Sequence, residues 1–379
     1  MQGVVVLAVS IKDVAKAAGV STATVSRVIN NSPLISPGTR EKTLKVIREL
    51  NYVPNILARG LSHQKAFTVA LLVNIEDTKS FNNPFFYEVM HGIETVVYSK
   101  GLSLIIANLK PSAKKDDMLN WLVSGKRTQG VILPSSVINA QIIRELKEIN
   151  FPFVIIGEPA DCKEPVDWVD INNRQGGEQA VEHLIEQGYR KIAFICGSRK
   201  EVFNRQRLSG YKEAMERNEL MLLPEYVKEG GSSKDDGLMM MKELLELPER
   251  PDAVICGDNI LSIGAMKAIK MAGLEIPDEI GILSFDNFPV ADLVEPSLTT
   301  VDIDVFELGV QAANILFKLI ENPAARQQQS LISTCIRVRE STMKAEQTAE
   351  KCQSISISAM TNFEKTPAVS FETGGEPCG

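Results

Sequence analysis

The sequence has little of what metal-binding, redox and catalytic proteins need. It contains three histidines and six scattered cysteines, and no two cysteines are spaced as Cys-x-x-Cys. Because a zinc site needs Cys and His ligands at close spacing, no metal site is expected, and the thiols are expected to be reduced. The glycine motifs of nucleotide-binding and hydrolase sites are missing too. We therefore expect no catalytic residue and no cofactor, which argues against an enzyme.

Apolar runs long enough to cross a membrane are missing as well. The apolar segment Gly3–Val9 is shorter than a bilayer span and lacks the charged leader and cleavage site of a secretory signal. These absences predict a cytoplasmic protein without a membrane partner, and they argue against a secreted transport binding protein. Residues 1–10 are interpreted as an N-terminal extension.

Charge is divided unevenly along the chain. The 379 residues carry a formal net charge of -7, and 44% of them are hydrophobic, which is enough for two or three globular units. Residues 11–65, however, contain nine Lys or Arg and only three Asp or Glu. A basic end on an acidic body predicts that attraction for nucleic acid phosphates is confined to that end.

Two short helical patterns joined by a glycine turn lie in residues 10–30. Ser10 and Ser21 stand at N-cap positions, and Gly19 ends the first helix. The two helices can pack through small apolar side chains, namely Val14, Ala15, Ala18, Val25, Val28 and Ile29. The free face of the second helix carries short polar groups and one guanidinium, namely Thr22, Ala23, Ser26, Arg27 and Asn30. Since such groups suit the DNA major groove, the pattern favours a helix-turn-helix over an ordinary helical hairpin.

A third helix is predicted from Pro37 to Leu50, with Ser36 as its cap and proline at its first position. Its Leu44, Ile47 and Leu50 are expected to close the core of a head domain at residues 11–54, with Ser36 and Thr39 facing phosphates. Pro54 then breaks the chain, and a short hinge helix and linker are predicted at residues 55–66. A helix this short is marginal alone in water, so we expect it to order on DNA.

From Phe67 onward, apolar runs alternate with amphipathic helices, the pattern of parallel sheets covered by helices on both faces. The predicted strands are Phe67–Val73, Leu102–Ala107, Gly130–Leu133, Phe153–Ile156, Lys191–Cys196, Asp252–Gly257 and Ile280–Phe285. Their spacing predicts two sheets in tandem with a break near Asp161–Trp168, before a long helix that begins near Asn173. A helix at about Val305–Ile320 and a strand near Cys335–Arg339 are expected to complete the two halves.

The predicted body spans residues 67–342. Its first subdomain comprises residues 67–165 with 300–324, and its second comprises residues 166–299 with 325–342. Residues 343–379 lose apolar periodicity and are rich in Ser, Thr, Gly and Glu, so they are interpreted as a disordered tail.

The segments at residues 11–21, 24–30 and 50–55 closely resemble the head of the lactose-repressor (LacI/GalR) family, and further matches extend to about residue 342. The resemblance implies an all-α helix-turn-helix head and an α/β body of two parallel-sheet subdomains, shaped like a periplasmic binding protein. It also implies a sequence-specific transcriptional repressor that binds double-stranded operator DNA as a homodimer. A small effector bound between the subdomains is expected to control operator binding.

The resemblance assigns base reading to Thr22, Ala23 and Arg27, and insertion into the minor groove to Leu61. Arg27 has the chemistry to donate two hydrogen bonds to a guanine, although a phosphate contact is the alternative. Leu61 follows the hinge, where an apolar wedge can bend the duplex, with plain packing as the alternative. The full predicted DNA-binding set is Ser21, Thr22, Ala23, Ser26, Arg27, Asn30, Ser36, Thr39, Tyr52, Asn55, Ala58 and Leu61.

The effector positions implied by the resemblance follow strand ends, where open parallel sheets bind ligands. They are Asn83, Phe85, Phe86, Arg207, Asp258 and Asp286. A carboxylate and a guanidinium suit the vicinal hydroxyls of a sugar, and phenyl rings suit its apolar face. Asp258 is alternatively a helix cap, and one of the two phenylalanines is expected in the core. Residues 231–233 carry no aromatic ring, which disfavours a monosaccharide sandwich there.

The expected effector is a carbohydrate. Three segments, at residues 83–86, 197–200 and 283–286, look most like those of the maltose and maltodextrin operon repressors. The alternative is a catabolite-control-type regulator that uses a protein corepressor. Induction and corepression would use the same domains and hinge. The sequence therefore predicts that the effector changes operator affinity, but not whether it raises or lowers that affinity.

Overall fold

The computed structural model describes residues 9–29, 31–52, 66–74, 84–108, 121–160 and 164–344. Within these ranges the chain forms a helical head and an α/β body. Several predicted features lie outside the described residues, namely Asn30, Asn55, Ala58, Leu61, Asn83 and the tail beyond residue 344.

The head consists of α1 (Ile11–Ala18), α2 (Thr22–Ile29) and α3 (Pro37–Glu49). The Asp13 carboxylate accepts hydrogen bonds from the Ser10 backbone N–H at 2.9 Å and the Ser10 hydroxyl at 2.6 Å, which caps α1. Gly19 ends α1 in the left-handed region at φ 68°, a conformation that glycine adopts without strain. These observations confirm the predicted turn between two short helices.

The predicted core of α3 is wrong at one position. Leu44 is exposed, whereas Thr43 is fully buried and donates a hydrogen bond to the Thr39 carbonyl at 2.7 Å. Ile47 and Leu50 do pack against the head core, as expected. The helical period explains the difference, because Thr43, Ile47 and Leu50 share one stripe and Leu44 lies beside it.

The body contains two six-stranded sheets. The first sheet has the order β11-β5-β4-β3-β1-β2 and is parallel throughout. Its strands are β1 (Thr68–Val73), β2 (Ser103–Asn108), β3 (Val131–Pro134), β4 (Phe153–Ile156), β5 (Trp168–Ile171) and β11 (Gln329–Ile332). Helices α4 (Pro84–Ser99) and α11 (Val305–Glu321) cover one face, and α5 (Ala140–Glu148) covers the other.

The second sheet has the order β12-β10-β9-β8-β6-β7, and only its edge pair β10 and β12 is antiparallel among the described strands. Its strands are β6 (Ile192–Cys196), β7 (Val227–Glu229), β8 (Ala253–Cys256), β9 (Gly281–Phe285), β10 (Thr299–Ile303) and β12 (Thr334–Arg337). Its main helices are α6 (Asn173–Glu186), α7 (Val202–Arg217), α8 (Lys234–Leu245) and α9 (Asn259–Met271). A short helix, α10 (Val290–Leu293), follows β9.

The sheet memberships differ from the predicted subdomain limits at 165/166, 299/300 and 324/325. Strand β5 pairs with β4, and β11 pairs with β5, so both belong to the first sheet. Strand β10 pairs with β9 in the second sheet. The chain therefore passes between the subdomains near residues 172, 304 and 333. The polar Asp170 in β5 and the partly exposed edge position of β11 hid these strands from a search for apolar runs.

Helices α6 and α7 approach each other at two glycines. A Cβ atom on Gly177 would lie 2.2 Å from the Arg207 carbonyl oxygen, and one on Gly210 would lie 2.0 Å from the Arg174 carbonyl oxygen. No larger residue fits at this crossing without moving a backbone. The close approach therefore sets the position of Arg207 on α7.

In the part of the chain that the structure describes, no helix is long and apolar enough to span a membrane.

Candidate functional site

The face of α2 that was expected to contact DNA is exposed on the head. Thr22, Ala23 and Arg27 are exposed there, whereas Val25 and Val28 are buried against the other helices. The Ser21 hydroxyl accepts a hydrogen bond from the Thr24 backbone N–H at 3.1 Å and so caps the helix. The neighbouring Ser26 is half-buried. An exposed guanidinium among short side chains is able to reach base edges in a groove.

Ser36 and Thr39 lie at the N-terminus of α3. The Ser36 hydroxyl accepts a hydrogen bond from the Thr39 backbone N–H at 3.4 Å and donates one to the Thr39 hydroxyl at 2.9 Å. A helix N-terminus carries partial positive charge, which favours a phosphate at this position. Tyr52, by contrast, is half-buried and packs against the head core, so packing accounts for its placement here.

A cleft of 490 Å³ lies between the two subdomains. Both sheets contribute the loops at the carboxyl ends of their strands, the edge where open parallel sheets bind ligands. Four predicted effector residues line it, namely Phe85, Arg207, Asp258 and Asp286. The structure therefore brings together side chains that are as much as 201 positions apart in the sequence.

Arg207 lies in the second turn of α7 and not directly after a strand end. Its Nε donates to the Asn173 Oδ1 at 2.9 Å, and its Nη1 donates to the Gly257 carbonyl at 2.6 Å. Its guanidinium stacks on the Phe285 ring with 4.1 Å to the centroid. Much of the hydrogen-bonding capacity of this buried group is therefore used within the second subdomain and at its junction with the first.

Three carboxylates surround this single guanidinium, namely Asp170, Asp258 and Asp286. Burial raises the pKa of all three, and it raises the pKa of Asp258 to about 6. Burial also lowers the pKa of Arg207, while the three carboxylates oppose that shift. The floor of the cleft therefore holds more acidic than basic groups.

Asp258 both caps a helix and lines the cleft, so it fits both alternatives given in the sequence analysis. Its Oδ1 accepts a hydrogen bond from the Leu261 backbone N–H at 2.8 Å and caps α9, and the residue also lines the cleft. Asp170 is held in the same manner, because its two oxygens accept hydrogen bonds from the backbone N–H groups of Glu158 at 2.8 Å and Ile171 at 2.7 Å. Both carboxylates thus organise the loops around them.

Asp286 is different, because one of its buried oxygens has no hydrogen-bond donor among the described residues. This Oδ1 lies 3.5 Å from the Arg207 Nη2, which makes an ion pair without a close hydrogen bond. The backbone of Asp286 adopts φ 72°, a strained conformation for a residue with a side chain. The Asn259 amide holds it there by donating to the Asp286 carbonyl at 2.9 Å. Asp286 also lines the cleft, so its carboxylate lies next to the space that a ligand hydroxyl would occupy.

Aromatic rings line both walls of the cleft. Phe85, at the start of α4, faces it from the first subdomain, whereas Phe86 packs against the core of that subdomain. Phe203, at the start of α7, lies on the opposite wall and is 39% exposed. Sequence reasoning missed Phe203, although it precedes Arg207 by four residues and so shares its helix face. It also missed Asp170, which lies in the unpredicted strand β5, and Asn173, the first residue of α6.

No group of His, Cys, Asp and Glu side chains suited to holding a metal ion occurs within the described ranges.

Two family models match the chain. The model of bacterial regulatory proteins of the lacI family matches residues 10–55, and the model of the periplasmic binding protein-like domain matches residues 181–342. The probable HTH-type transcriptional repressor ExuR of Bacillus subtilis (strain 168) is 34% identical over 88% of this chain and 98% of the relative. Catabolite control protein A of Priestia megaterium is 31% identical over 88% of this chain and 99% of the relative.

Solved structures resemble the chain over similar lengths. A complex of the transcriptional regulator CelR with cellobiose is 31% identical, with a TM-score of 0.65 over 88% of this chain and 99% of that chain. The lac repressor dimer bound to operator and the anti-inducer ONPF is 26% identical, with a TM-score of 0.74 over 89% of this chain and 100% of that chain.

A helix-turn-helix head and a two-sheet body with a ligand cleft define a DNA-binding transcriptional regulator with an effector domain. The chain belongs to the lacI family of bacterial regulatory proteins, whose members are transcriptional regulators and not enzymes. The family and the fold class expected from the sequence are thereby confirmed. The maltose subgroup remains a prediction.

Proposed function

We propose that this repressor binds a pseudopalindromic operator as a homodimer, with α2 of each head in the major groove. Thr22, Ala23 and Arg27 would contact base edges, while Ser36 and Thr39 would contact phosphates. The exposure of these side chains on one face of the head supports the proposal. The hinge residues Asn55, Ala58 and Leu61 would pair at the centre of the operator. In a relative, the lac repressor, a dimer is bound to operator.

We propose further that a carbohydrate in the cleft controls operator binding. The observation that carries this proposal is the Asp286 carboxylate beside Arg207, whose buried Oδ1 has no hydrogen-bond donor among the described residues, in a cleft that Phe85 and Phe203 also line. A sugar offers hydroxyl donors for such a carboxylate and apolar C–H faces for Phe85 and Phe203. The CelR relative is similar over most of the chain, and it binds cellobiose.

The coupling would work through the angle between the subdomains. A ligand that contacts both walls of the cleft binds one relative orientation better than another, and it therefore shifts the population towards that orientation. Because each first subdomain follows its hinge in the chain, the shift would change how closely the two hinges of a dimer approach. Operator affinity would change in either direction, depending on which orientation pairs the hinges.

Selection from random DNA with the purified chain tests the first proposal. We expect a preferred sequence with two inverted half-sites, and a dimer in analytical ultracentrifugation. Titration of maltose, maltotriose, cellobiose and glucose into the operator complex then tests the second proposal. Operator affinity that stays unchanged with every sugar at saturation would contradict carbohydrate control. Retention of a specific protein from cell extract by the operator complex would then support the corepressor alternative.

A further inference from the structure

Besides the three places where the chain passes between the subdomains, a packed side chain, Phe288, connects them. Phe288 follows β9 of the second subdomain, and the chain returns at once to that subdomain through α10, where Ala291 is buried in the core beneath α8 and α9. The Phe288 side chain is nevertheless buried in the core of the first subdomain, together with residues of α4 and α11. It is 8% exposed. The second subdomain therefore anchors one side chain in its neighbour.

The turn that carries this anchor is held firmly on its own side. The Asn259 Nδ2 donates to the Phe285 carbonyl at 3.1 Å and to the Asp286 carbonyl at 2.9 Å. One residue further on, the Asn287 Oδ1 accepts a hydrogen bond from the Arg339 Nη2 at 2.7 Å. Residues 285–287 are thus hydrogen-bonded to the second subdomain. The side chain of the next residue, Phe288, packs in the first subdomain.

Asp286 and Phe288 are only two residues apart on this turn. Asp286 lines the cleft, and its Oδ1 has no donor within the described ranges, whereas Phe288 packs in the core behind the opposite wall. Close-packed cores resist gradual deformation and switch between discrete arrangements. A ligand that displaced Asp286 would therefore act on the first subdomain through a short, hydrogen-bonded segment.

We propose that Phe288 is a positioning residue that couples the Asp286 side chain to the relative orientation of the two subdomains. The inference rests on the proposed function in one respect, because Asp286 matters here as the group that meets the ligand. The mechanical link itself does not depend on which ligand binds.

Spin-label distance measurements on the full chain test this link without any ligand. The labels are placed at exposed positions on each subdomain, by Arg144→Cys in α5 and Glu216→Cys in α7. Cys335, which is exposed, and Cys162, Cys352 and Cys378 are replaced by serine. Dilution with unlabelled chain restricts the signal to distances within one chain. We expect one narrow distance distribution with Phe288 present and loss of that narrow distribution in Phe288→Ala.

Phe317→Ala is the matched control, because Phe317 is 5% exposed in the same core cluster but belongs to α11 of the first subdomain. It should lower the melting temperature comparably and keep the distribution narrow. Phe288→Leu keeps an apolar anchor and should retain most of the narrow distribution, which gives a test even if Phe288→Ala does not fold. A narrow distribution in Phe288→Ala, or equal broadening in Phe288→Ala and Phe317→Ala, would overturn the proposal. A failure of sugars to bind would leave these measurements unaffected.

Discussion

At the scale of single residues, the charged side chains of the cleft have different roles. Arg207 uses its Nε and Nη1 on Asn173 and Gly257, so it organises the cleft floor more than it extends towards a ligand. Asp258 caps a helix, whereas one buried oxygen of Asp286 has no donor among the residues that the structure describes. An unsatisfied buried acceptor is unfavourable, and a ligand that satisfies it gains binding free energy. Asp286 is therefore the side chain on which ligand affinity should depend most.

The raised pKa of Asp258 predicts a pH-dependent stability. Its pKa is about 6 in the folded chain, where burial disfavours the charged form, and about 3.9 in an unfolded chain. The folded state binds the extra proton between these values, so the free energy of unfolding falls as pH rises from about 4 to about 6, by about 3 kcal/mol. Asp258→Asn keeps a capping oxygen and removes the charge. We expect the variant to be more stable than the wild type at pH 7.5 and of similar stability at pH 4.

Chemical denaturation of both proteins across pH 4 to 8 measures this difference. Asp304→Asn is the control, because Asp304 caps α11 through a similar hydrogen bond of 2.8 Å but is exposed to solvent. Its difference from the wild type measures what the Asp to Asn exchange costs at a solvent-exposed helix cap. A constant difference between wild type and Asp258→Asn over the whole range would show that the predicted desolvation of Asp258 is wrong.

Arg27 is predicted to read one base pair of each half-site. Arg27→Ala should cost about 1–3 kcal/mol of discrimination at that position and relax the preference there alone. Binding of the selected operator and its single-base variants by the wild type and by Arg27→Ala measures the loss. If Arg27 contacts a phosphate, all sequences would weaken alike and the salt dependence of binding would become less steep. That second pattern would contradict base reading.

At the scale of secondary-structure elements, helix packing places the ligand-facing groups. The crossing of α6 and α7 at Gly177 and Gly210 brings the two backbones close enough for Arg207 to reach Asn173. Asn173 is the first residue of α6, directly after a crossing between the subdomains. The polar floor of the cleft thus depends on a helix-helix distance that only glycine allows.

Gly177→Ala should therefore disturb both stability and ligand affinity. The added methyl group would lie 2.2 Å from the Arg207 carbonyl oxygen, so the helices must separate. Overpacking of this kind costs about 1–3 kcal/mol, and the displaced Arg207 should weaken ligand binding as well. Gly230→Ala is the control, because its methyl group would meet only the flexible Met240 side chain, at 3.3 Å. Thermal unfolding and sugar titration compare the two, and equal behaviour would contradict the role assigned to the α6 and α7 crossing.

At the scale of the whole molecule, the head is basic and the body is acidic. The basic residues of the head serve attraction to DNA, while the body and its cleft are acidic. Five acidic residues line the cleft, against only two basic ones, Arg207 and Lys200. An anionic ligand would therefore meet repulsion that a neutral one avoids.

We accordingly expect neutral sugars to bind in preference to their acids. The measurement is thermal unfolding at matched ionic strength with the pairs glucose and glucuronate, maltose and maltobionate, and cellobiose and cellobionate. A sugar at 100 times its dissociation constant should add about 2.7 kcal/mol to the free energy of unfolding, and its acid should add little. Stronger stabilisation by an acid than by its neutral partner would contradict this reading of the cleft.

Local patterns in the sequence were sufficient for the head and for most of the body. Caps, the glycine turn and the helical period predicted α1 and α2, and apolar runs predicted seven of the strands in place. These features depend on neighbours within a few residues, which a sequence displays directly. Strands β5, β10 and β11 were missed or placed in the wrong subdomain. The reason is that the sheet to which a strand belongs depends on pairing partners that lie far along the chain.

The sequence by itself determined a DNA-binding head on a two-sheet body, and its resemblance to the family singled out Arg207, Asp258 and Asp286. Only the tertiary structure decided which of these groups is already satisfied, that Phe203 joins them, and that Phe288 lies in the core of the other subdomain. The physical reason is that a hydrogen-bond partner or a packing neighbour is chosen by distance in space. Periodicity and local propensity carry no information about such distances until the chain has folded.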